Sequence, residues 1–237
     1  MNISERKIHR VRFHTPLDAS VNPYTNRLRA VRSLHYQRLY RALNLIERTR
    51  SERVLELGCW AGYFLPSLLK YFPEVWGVDD DSCSVLESAP GYSSILQIAR
   101  KLCEAELGST SGLHLTKATG SALPFHDRYF DVVVCMDTLA NIERPSRFDV
   151  VNELRRVTRL DGQLIFSLPI EVGPASLLKE GIRLLTGKRI DSGTKQYDFR
   201  DDLELLRTTF PLCRPQFFPV NILGKLSTVV IVDCRTV

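Results

Sequence analysis

The chain has 237 residues, of which 44% are apolar and 25% are charged, a composition ordinary for a soluble globular protein and sufficient for one α/β domain with additions. No run approaches the roughly 18 apolar residues of a membrane span, and the polar, basic N-terminus lacks the apolar core of a secretory signal. The six cysteines are scattered without a C-x-x-C pair, so we predict reduced thiols, no metal site and a cytoplasmic location.

The net charge of +5 comes wholly from the N-terminal quarter. Residues 1–53 hold twelve Lys and Arg against four Asp and Glu, whereas the other 184 residues hold twenty against twenty-three. A basic arm precedes a predicted helix from Asn22 to about Glu47. One interpretation is nucleic-acid binding through arginines such as Arg27 and Arg38. We favour a solvated helix face that covers a neighbouring cleft, because aromatic side chains that would stack on bases are sparse.

A short apolar run is followed directly by a glycine-rich turn. Residues 54–57 predict a buried parallel strand that carries one acid, Glu56. A second predicted strand ends in Asp79, twenty-one residues after Gly58. Ligands of open α/β sheets bind at the carboxyl ends of the strands, and one carboxylate accepts both protons of a ribose diol. The pattern therefore predicts a cofactor that contains a nucleoside.

The spacing of the turn argues against a dinucleotide. The pattern G-x-G-x-x-G, started at Gly58, would need glycines where the chain has Trp60 and Tyr63, and a tryptophan would obstruct the pyrophosphate. What remains is Glu-x-Gly-x-x-x-Gly, from Glu56 to Gly62. This pattern resembles the class I S-adenosylmethionine-dependent methyltransferases, closest to the small-molecule type often called methyltransferase 11-like.

The resemblance implies a role for each residue of the turn. Glu56 would help to hold the methionyl end of S-adenosylmethionine, the turn from Gly58 to Gly62 would pass beneath it, and Asp79 would bind the ribose. The family usually has a glycine where this chain has Trp60, which is a further candidate contact. Asp80 is another, although it and its neighbour Asp81 also suit a helix cap.

A later stretch, residues 118–137, resembles the second signature of the family. Aligned on Leu-Pro-Phe at 123–125, the acid that usually contacts the adenine amine falls on Thr119, whose hydroxyl accepts one hydrogen bond without charge assistance. The backbone of Gly120 and Ser121 would supply the rest. The following strand ends at Asp137, a further candidate cofactor contact on the side of the cleft near the transferred methyl group.

The resemblance implies a doubly wound α/β domain around a mostly parallel, seven-stranded, Rossmann-like sheet whose last strand is antiparallel. The predicted strands are 54–57, 75–79, 113–117, 129–137, 163–168, 216–223 and 228–233, and the predicted helices are 22–47, 63–71, 82–89, 92–107, 146–158 and 201–209. We divide the chain into an N-terminal basic arm and helix, 1–52, and a methyltransferase domain, 53–237. Residues 169–199 would be a lid or acceptor-binding insertion after the fifth strand, although its amphipathic piece, 175–185, also suits peripheral contact with a membrane surface.

Methyl transfer from a sulfonium is an in-line displacement with a neutral leaving group, so the protein mainly positions donor and acceptor. A base is needed only where the acceptor must lose a proton. Candidate bases or acceptor contacts are Asp137, Glu143 and Tyr197, whereas His126 suits a solvated turn.

The predicted function is S-adenosylmethionine-dependent methyl transfer to a small molecule or to a sugar- or lipid-linked acceptor. One alternative is an RNA methyltransferase that uses the basic N-terminal region. The other is a protein that binds S-adenosylmethionine without turnover, an alternative that Trp60 and Thr119 leave open. The acceptor, the atom methylated and the oligomeric state are left open.

Overall fold

The computed structural model describes residues 6–12, 15, 17, 22–26, 29–47, 52–82, 91–170, 197–218 and 229–236. Among these residues the strands are β1 (Arg53–Leu57), β2 (Glu74–Asp79), β3 (Leu113–Lys117), β4 (Phe130–Met136), β5 (Thr158–Pro169), β6 (Leu212–Phe218) and β7 (Val229–Arg235). The α-helices are α1 (Arg29–Leu45), α2 (Leu65–Leu69), α3 (Ile95–Leu107), α4 (Arg144–Val157) and α5 (Phe199–Thr209). A single 3-10 turn, Leu139–Asn141, follows β4.

The seven strands form one sheet in the order β3-β2-β1-β4-β5-β7-β6. Strands β1 to β5 run parallel to one another. Strand β7 lies antiparallel between β5 and β6. The predicted mostly parallel, seven-stranded sheet with an antiparallel last strand is therefore confirmed.

The central strands send alternate side chains to two hydrophobic clusters, one on each face of the sheet. Val54 of β1 belongs to the cluster that includes α1, α2 and α3, whereas Leu55 belongs to the cluster that includes α4 and α5. Successive residues of a strand face opposite sides, so a sheet covered on both faces is built from continuously apolar strands. This explains why the strands read as apolar runs, and it confirms the doubly wound arrangement.

The N-terminal helix packs onto the sheet as part of the first cluster. Tyr36, Leu39 and Leu43 of α1 are buried in that cluster. At the C-terminal end of α1, the Gln163 amide donates to Leu45 O at 2.9 Å and to Asp233 Oδ1 at 2.8 Å. These bonds join α1 to β5 and β7.

The described part of the N-terminal arm follows the same surface. The Arg6 guanidinium is buried and donates to the carbonyl oxygens of Leu43 and Ile46, each at 2.9 Å. Leu43 lies in the last turn of α1, where helix carbonyls lack partners within the helix, and Ile46 directly follows the helix. Arg6 therefore holds the arm against α1.

The start of α1 differs from the prediction. We expected the helix to begin at Asn22, but α1 begins at Arg29 and residues 23–25 form a turn. The side chain of Asn22 accepts the Tyr24 N–H at 3.0 Å and donates to the Tyr63 hydroxyl at 2.5 Å. Asn22 therefore stabilises a local turn and a tertiary contact instead of a helix end.

Three other predictions need correction. The repeat of Phe148, Val151, Leu154 and Val157 every three residues predicts that they share one face of α4, but Phe148 is 58% exposed whereas the other three are buried. Strand β5 begins at Thr158 instead of at residue 163, because its pairing with β4 continues past a register shift; Asp161 takes a φ of 61° in that stretch. Strand β6 begins at Leu212 instead of at residue 216.

Several predicted segments lie outside the described residues. These are most of the helix at 82–89, residues 171–196 of the proposed insertion including the amphipathic piece 175–185, and the turn at 224–225 between the last two strands.

Strand β6 forms one edge of the sheet, and Pro215 lies at its centre opposite Val232 of β7.

In the parts of the chain that the structure describes, no helix combines the length and the apolar character needed to cross a bilayer.

Candidate functional site

A cavity of about 630 Å³ lies at the carboxyl ends of β1, β2 and β4. Its size falls in the usual range for small-molecule sites, roughly 300–1,000 Å³. One side is formed by α1 and the turn before it, and the other by the strand ends. The lining residues used below are Tyr24, His35, Arg38, Glu56, Gly58, Trp60, Asp79, Asp80, Gly120, Asp137, Asn141 and Ile142.

The glycine turn after β1 is held against β2. The backbone N–H groups of Gly58 and Cys59 both donate to Val78 O, at 2.7 and 3.1 Å. Gly58 has a φ of 71°, and a Cβ at this position would clash with the side chain of Thr138. Only glycine takes this conformation without strain, so the turn brings its backbone to the cavity at Gly58.

Gly62, the second glycine of the motif, has a different role from the one expected. Its φ is 80°, and an added Cβ would lie 2.9 Å from the Cβ of Ala99 in α3. Gly62 is not among the described residues that line the cavity. Its small size lets the turn and α3 approach each other.

Glu56 is a buried acidic residue at the end of β1. It is 4% exposed, and its Oε2 has no hydrogen-bond partner among the described residues. Burial and, secondarily, the nearby Asp79 carboxylate raise the pKa of Glu56 well above its usual range. A buried acceptor without a partner costs free energy, so this position suits a ligand that brings a donor or a positive charge.

Asp79 stands at the end of β2, beside the turn. Its Oδ2 accepts the Trp60 N–H at 2.9 Å and its Oδ1 accepts the Asp81 N–H at 3.0 Å. Burial raises the pKa of Asp79, although these two hydrogen bonds act in the opposite direction. Each carboxylate oxygen has a second lone pair, so both oxygens can still accept a hydrogen bond from a ligand.

The two acids after Asp79, Asp80 and Asp81, make different contacts. Asp80 is exposed and lines the cavity, and its Oδ1 accepts from the Ser82 N–H and hydroxyl at 3.0 and 2.7 Å. Asp81 accepts the Ile95 N–H at 2.6 Å, at the start of α3. Asp81 thus supports the first turn of α3, whose N-cap is Ser94. The helix at 82–89, which the two acids were expected to cap, lies almost wholly outside the described residues, and Asp80 remains a candidate ligand contact.

The predicted adenine segment reaches the cavity through its glycine. Gly120 lines the cavity and packs closely on Leu57 and Val150. Thr119 and Ser121 are exposed and are not among the described lining residues.

Arg38 occupies the α1 side of the cavity, where sequence reasoning had placed a solvated arginine. It forms an ion pair with Asp137 at the end of β4, and its Nη2 donates to the Tyr24 hydroxyl at 3.0 Å. Asp137 has a φ of 58° and also accepts a hydrogen bond from Ser167 Oγ. One sequence signal could have found Arg38, because it lies four residues before Ala42, on the buried face of α1.

The candidate bases lie in different surroundings. Asp137 faces the cavity. Glu143 is exposed at the start of α4 and is not among the described lining residues. His126 is exposed, as expected for a solvated turn.

The expected role of Tyr197 needs correction. We expected a base or an acceptor contact, but Tyr197 is 4% exposed in the cluster beneath α5. Its hydroxyl donates to Asp202 Oδ2 at 2.8 Å, and Asp202 also pairs with Arg147 at 3.1 Å. Burial raises the pKa of Tyr197 far above its usual range. These contacts give Tyr197 a structural role.

The sheet order and a cavity at the strand ends define the class I methyltransferase fold. Residues 55–166 match the family model described as a methyltransferase domain. Residues 55–166 are therefore similar to the methyltransferase domains of that family.

Known proteins that resemble this chain are also methyltransferases. A curated relative, the ubiquinone biosynthesis O-methyltransferase of Yersinia enterocolitica, is 28% identical over 116 residues, which are 49% of this chain and 42% of the relative. The match thus spans less than half the length of that relative.

Solved structures share the fold. The magnesium protoporphyrin IX methyltransferase of Synechocystis PCC 6803, with S-adenosylhomocysteine bound, gives a TM-score of 0.62 at 18% identity, covering 86% of this chain and 85% of that one. A methyltransferase from Archaeoglobus fulgidus gives 0.61 at 17% identity, covering 86% and 94%.

Proposed function

We propose that the chain transfers a methyl group from S-adenosylmethionine to a small molecule or to a sugar- or lipid-linked acceptor. The observation that carries this proposal is the cavity between α1 and the strand ends, which has the volume of a small-molecule site and is lined by the acids Glu56, Asp79 and Asp137. The curated relative acts in ubiquinone biosynthesis as an O-methyltransferase, which supports a small acceptor that offers a hydroxyl group.

The cofactor residues that we propose follow from the cavity lining. Asp79 would accept hydrogen bonds from the ribose hydroxyls, and the turn at Gly58 would lie beneath the cofactor. Gly120 would contact the adenine. Glu56 would meet the methionyl end with the buried oxygen that has no partner. Trp60 and Asp80 line the same cavity as further contacts.

When bound, the cofactor supplies a methyl group already activated on a sulfonium. The work left to this chain is to bind and orient the acceptor and to exclude water. Asp137, which faces the cavity, would take a proton from an acceptor oxygen or nitrogen. Its ion pair with Arg38 and its hydrogen bond from Ser167 hold the carboxylate in one orientation.

The surroundings of two arginines in α1 argue against RNA binding by this helix. Arg38 is buried in the cavity wall and pairs with Asp137. The guanidinium of Arg41 lies over the ring of Phe218, 4.3 Å from its centre. Both have intramolecular roles, whereas strong phosphate binding needs several free cations.

The test is transfer of labelled methyl groups into cellular extracts. Purified protein and labelled S-adenosylmethionine are incubated with a small-molecule extract, a lipid extract and total RNA, with excess S-adenosylhomocysteine as the inhibited control. We expect inhibitable label in the small-molecule or lipid fraction. Label in one RNA species would contradict the proposed acceptor class. Cofactor binding without label in any fraction would instead favour a binding protein without turnover.

A further inference from the structure

Cys213 of β6 and Cys234 of β7 lie directly opposite each other in the antiparallel ladder. Both thiols are free, and their sulfur atoms are in contact, 2.6 Å apart. Directly opposite residues of an antiparallel pair have Cα atoms about 4.5 or 5.5 Å apart. A disulfide bond joins residues whose Cα atoms are about 4.4–6.8 Å apart. The backbone of the two strands therefore already has the spacing that a bond between these cysteines needs.

The two cysteines differ in exposure. Cys213 is half-buried in the edge strand, whereas Cys234 is fully buried in the hydrophobic cluster that includes α4 and α5. A reagent in solution therefore reaches Cys213 first. Cysteine pairs that respond to oxidation combine one accessible thiol with a second thiol close enough to displace the reagent. Cys213 suits the first role and Cys234 the second.

The surroundings of Cys213 also favour its thiolate, which is the reactive form of a cysteine. The hydrogen bond with Cys234 lowers the pKa of Cys213 most, partial burial acts in the opposite direction, and the charge of Arg207 lowers the pKa further. Burial raises the pKa of Cys234 far above its usual range. Cys213 is therefore the nucleophile of the pair, and Cys234 stays a thiol until Cys213 has reacted.

We propose that Cys213 and Cys234 form a reversible disulfide bond between β6 and β7, with a small-molecule disulfide such as oxidised glutathione as the oxidant. In the first step the Cys213 thiolate attacks one sulfur of oxidised glutathione, and one glutathione leaves and takes up the proton that Cys213 lost. In the second step Cys234 loses its proton and attacks the sulfur of Cys213, and the second glutathione leaves as a thiol. The two cysteines lose two electrons and two protons in total, and the two glutathione molecules gain them.

The bond would join the edge strand of the sheet covalently to its neighbour. The two cysteines are 21 positions apart in the chain, and closing a loop of that length removes conformational entropy from the unfolded chain. Neither cysteine is among the described residues that line the cavity. Oxidation should therefore stabilise the fold without changing the cavity, and the inference is independent of the proposed function.

The test is oxidation of the full chain in glutathione buffers that run from strongly reducing to strongly oxidising ratios near neutral pH. Remaining thiols are blocked by alkylation, and peptide mass spectrometry then identifies the bonds. We expect a peptide pair joined through Cys213 and Cys234. The melting temperature should be about 5–10 °C higher in the oxidised protein than in the reduced protein. A reducing agent should remove both the bond and the temperature difference.

Two variants separate the roles of the two thiols. In Cys234→Ala, glutathione should stay attached to Cys213, because no second thiol is present to displace it. In Cys213→Ser, Cys234 should stay unmodified because it is buried, and the melting temperature should no longer depend on the glutathione ratio. The matched control is Cys103→Ala, which removes another buried cysteine and should keep both the bond and the temperature difference.

Three results would overturn the inference. One is that both cysteines of the unmodified protein still react with the alkylating agent at the most oxidising ratio. Another is glutathione that stays on Cys213 in the unmodified protein, because Cys234 would then be unable to displace it. The third is a covalent dimer linked through Cys213, which would show that this thiol bonds to a second molecule instead of to Cys234.

Discussion

The backbone N–H of Trp60 donates to Oδ2 of Asp79 at 2.9 Å, and Trp60 makes this bond with a φ of 46°. A non-glycine residue in the left-handed region is strained, at a cost of roughly 1–2 kcal/mol. The strain sits at the position where related methyltransferases usually have glycine. Trp60 therefore takes a backbone conformation that favours glycine and adds a ring to the cavity wall, 6.0 Å from the ring of Tyr63.

This strain gives the first prediction, a comparison of Trp60→Gly with Trp60→Ala. Both variants lose the ring, but only glycine relieves the backbone. We expect Trp60→Gly to be more stable than Trp60→Ala by about 1 kcal/mol in urea unfolding, and to bind S-adenosylhomocysteine at least as well as the unmodified protein. A large loss of affinity in Trp60→Gly would show that the ring itself binds the cofactor.

The second prediction concerns Asp79. Replacing it with asparagine removes the charge from the proposed ribose contact, so S-adenosylhomocysteine should bind about 1.5–3 kcal/mol more weakly in calorimetry. The comparison variant is Asp80→Asn, at the neighbouring exposed acid that also lines the cavity, and we expect a smaller loss than in Asp79→Asn because water screens an exposed contact. A larger loss in Asp80→Asn than in Asp79→Asn would move the ribose contact to Asp80.

The third prediction is a pH dependence that comes from Glu56. Its pKa in the folded protein is raised above the ordinary 4.5, so between these two values the folded state binds more protons than the unfolded state. The free energy of unfolding should therefore fall as pH rises through this window. Glu56→Gln should make that slope shallower and stabilise the ligand-free protein at pH 7 by roughly 1–3 kcal/mol, the usual cost of an unsatisfied buried group.

The measurement is urea unfolding from pH 4.5 to pH 8 without cofactor. Glu143→Gln, at an exposed acid, is the control and should leave the slope as it is. A steeper slope in Glu56→Gln would mean that the carboxylate is stabilised in its charged form, contrary to its buried position.

The fourth prediction separates a structural role of Tyr197 from a catalytic one. Tyr197→Phe removes the hydroxyl that donates to Asp202, so the free energy of unfolding should fall by about 1–3 kcal/mol. The affinity for S-adenosylhomocysteine should stay within about twofold. Unchanged stability combined with a loss of methyl transfer would restore Tyr197 as a candidate base.

The elements that the sequence predicted well are those with a strong local cause. Strand β3 has the predicted bounds, 113–117. Helix α3 ends at Leu107 because Gly108 takes a left-handed conformation with a φ of 70°, the usual way to end a helix. The cavity acids Glu56 and Asp79 were also predictable, because each ends a buried strand beside the glycine turn.

Other features depend on contacts that no local pattern contains. Arg38 was assigned to a solvated face because aromatic side chains that would stack on bases are sparse. Its spacing from Ala42 indicates the buried face of α1, but the ion pair was not predictable because its partner Asp137 is ninety-nine residues away in the chain. Phe148 was misplaced for a different reason. Side chains that recur every three residues do not stay on one face of an α-helix, which has 3.6 residues per turn. Phe148 and Val157 are nine residues apart, so their side chains lie on opposite faces of α4.

The centre of strand β6 has a chemical property that concerns other molecules of the protein. Pro215 has no backbone N–H, and a proline is tolerated in an edge strand when its nitrogen faces away from the sheet. A strand from a second molecule that tried to extend the sheet here would find a hydrogen bond missing in the middle of the ladder. Pro215 therefore protects this edge against strand addition and the aggregation that follows from it.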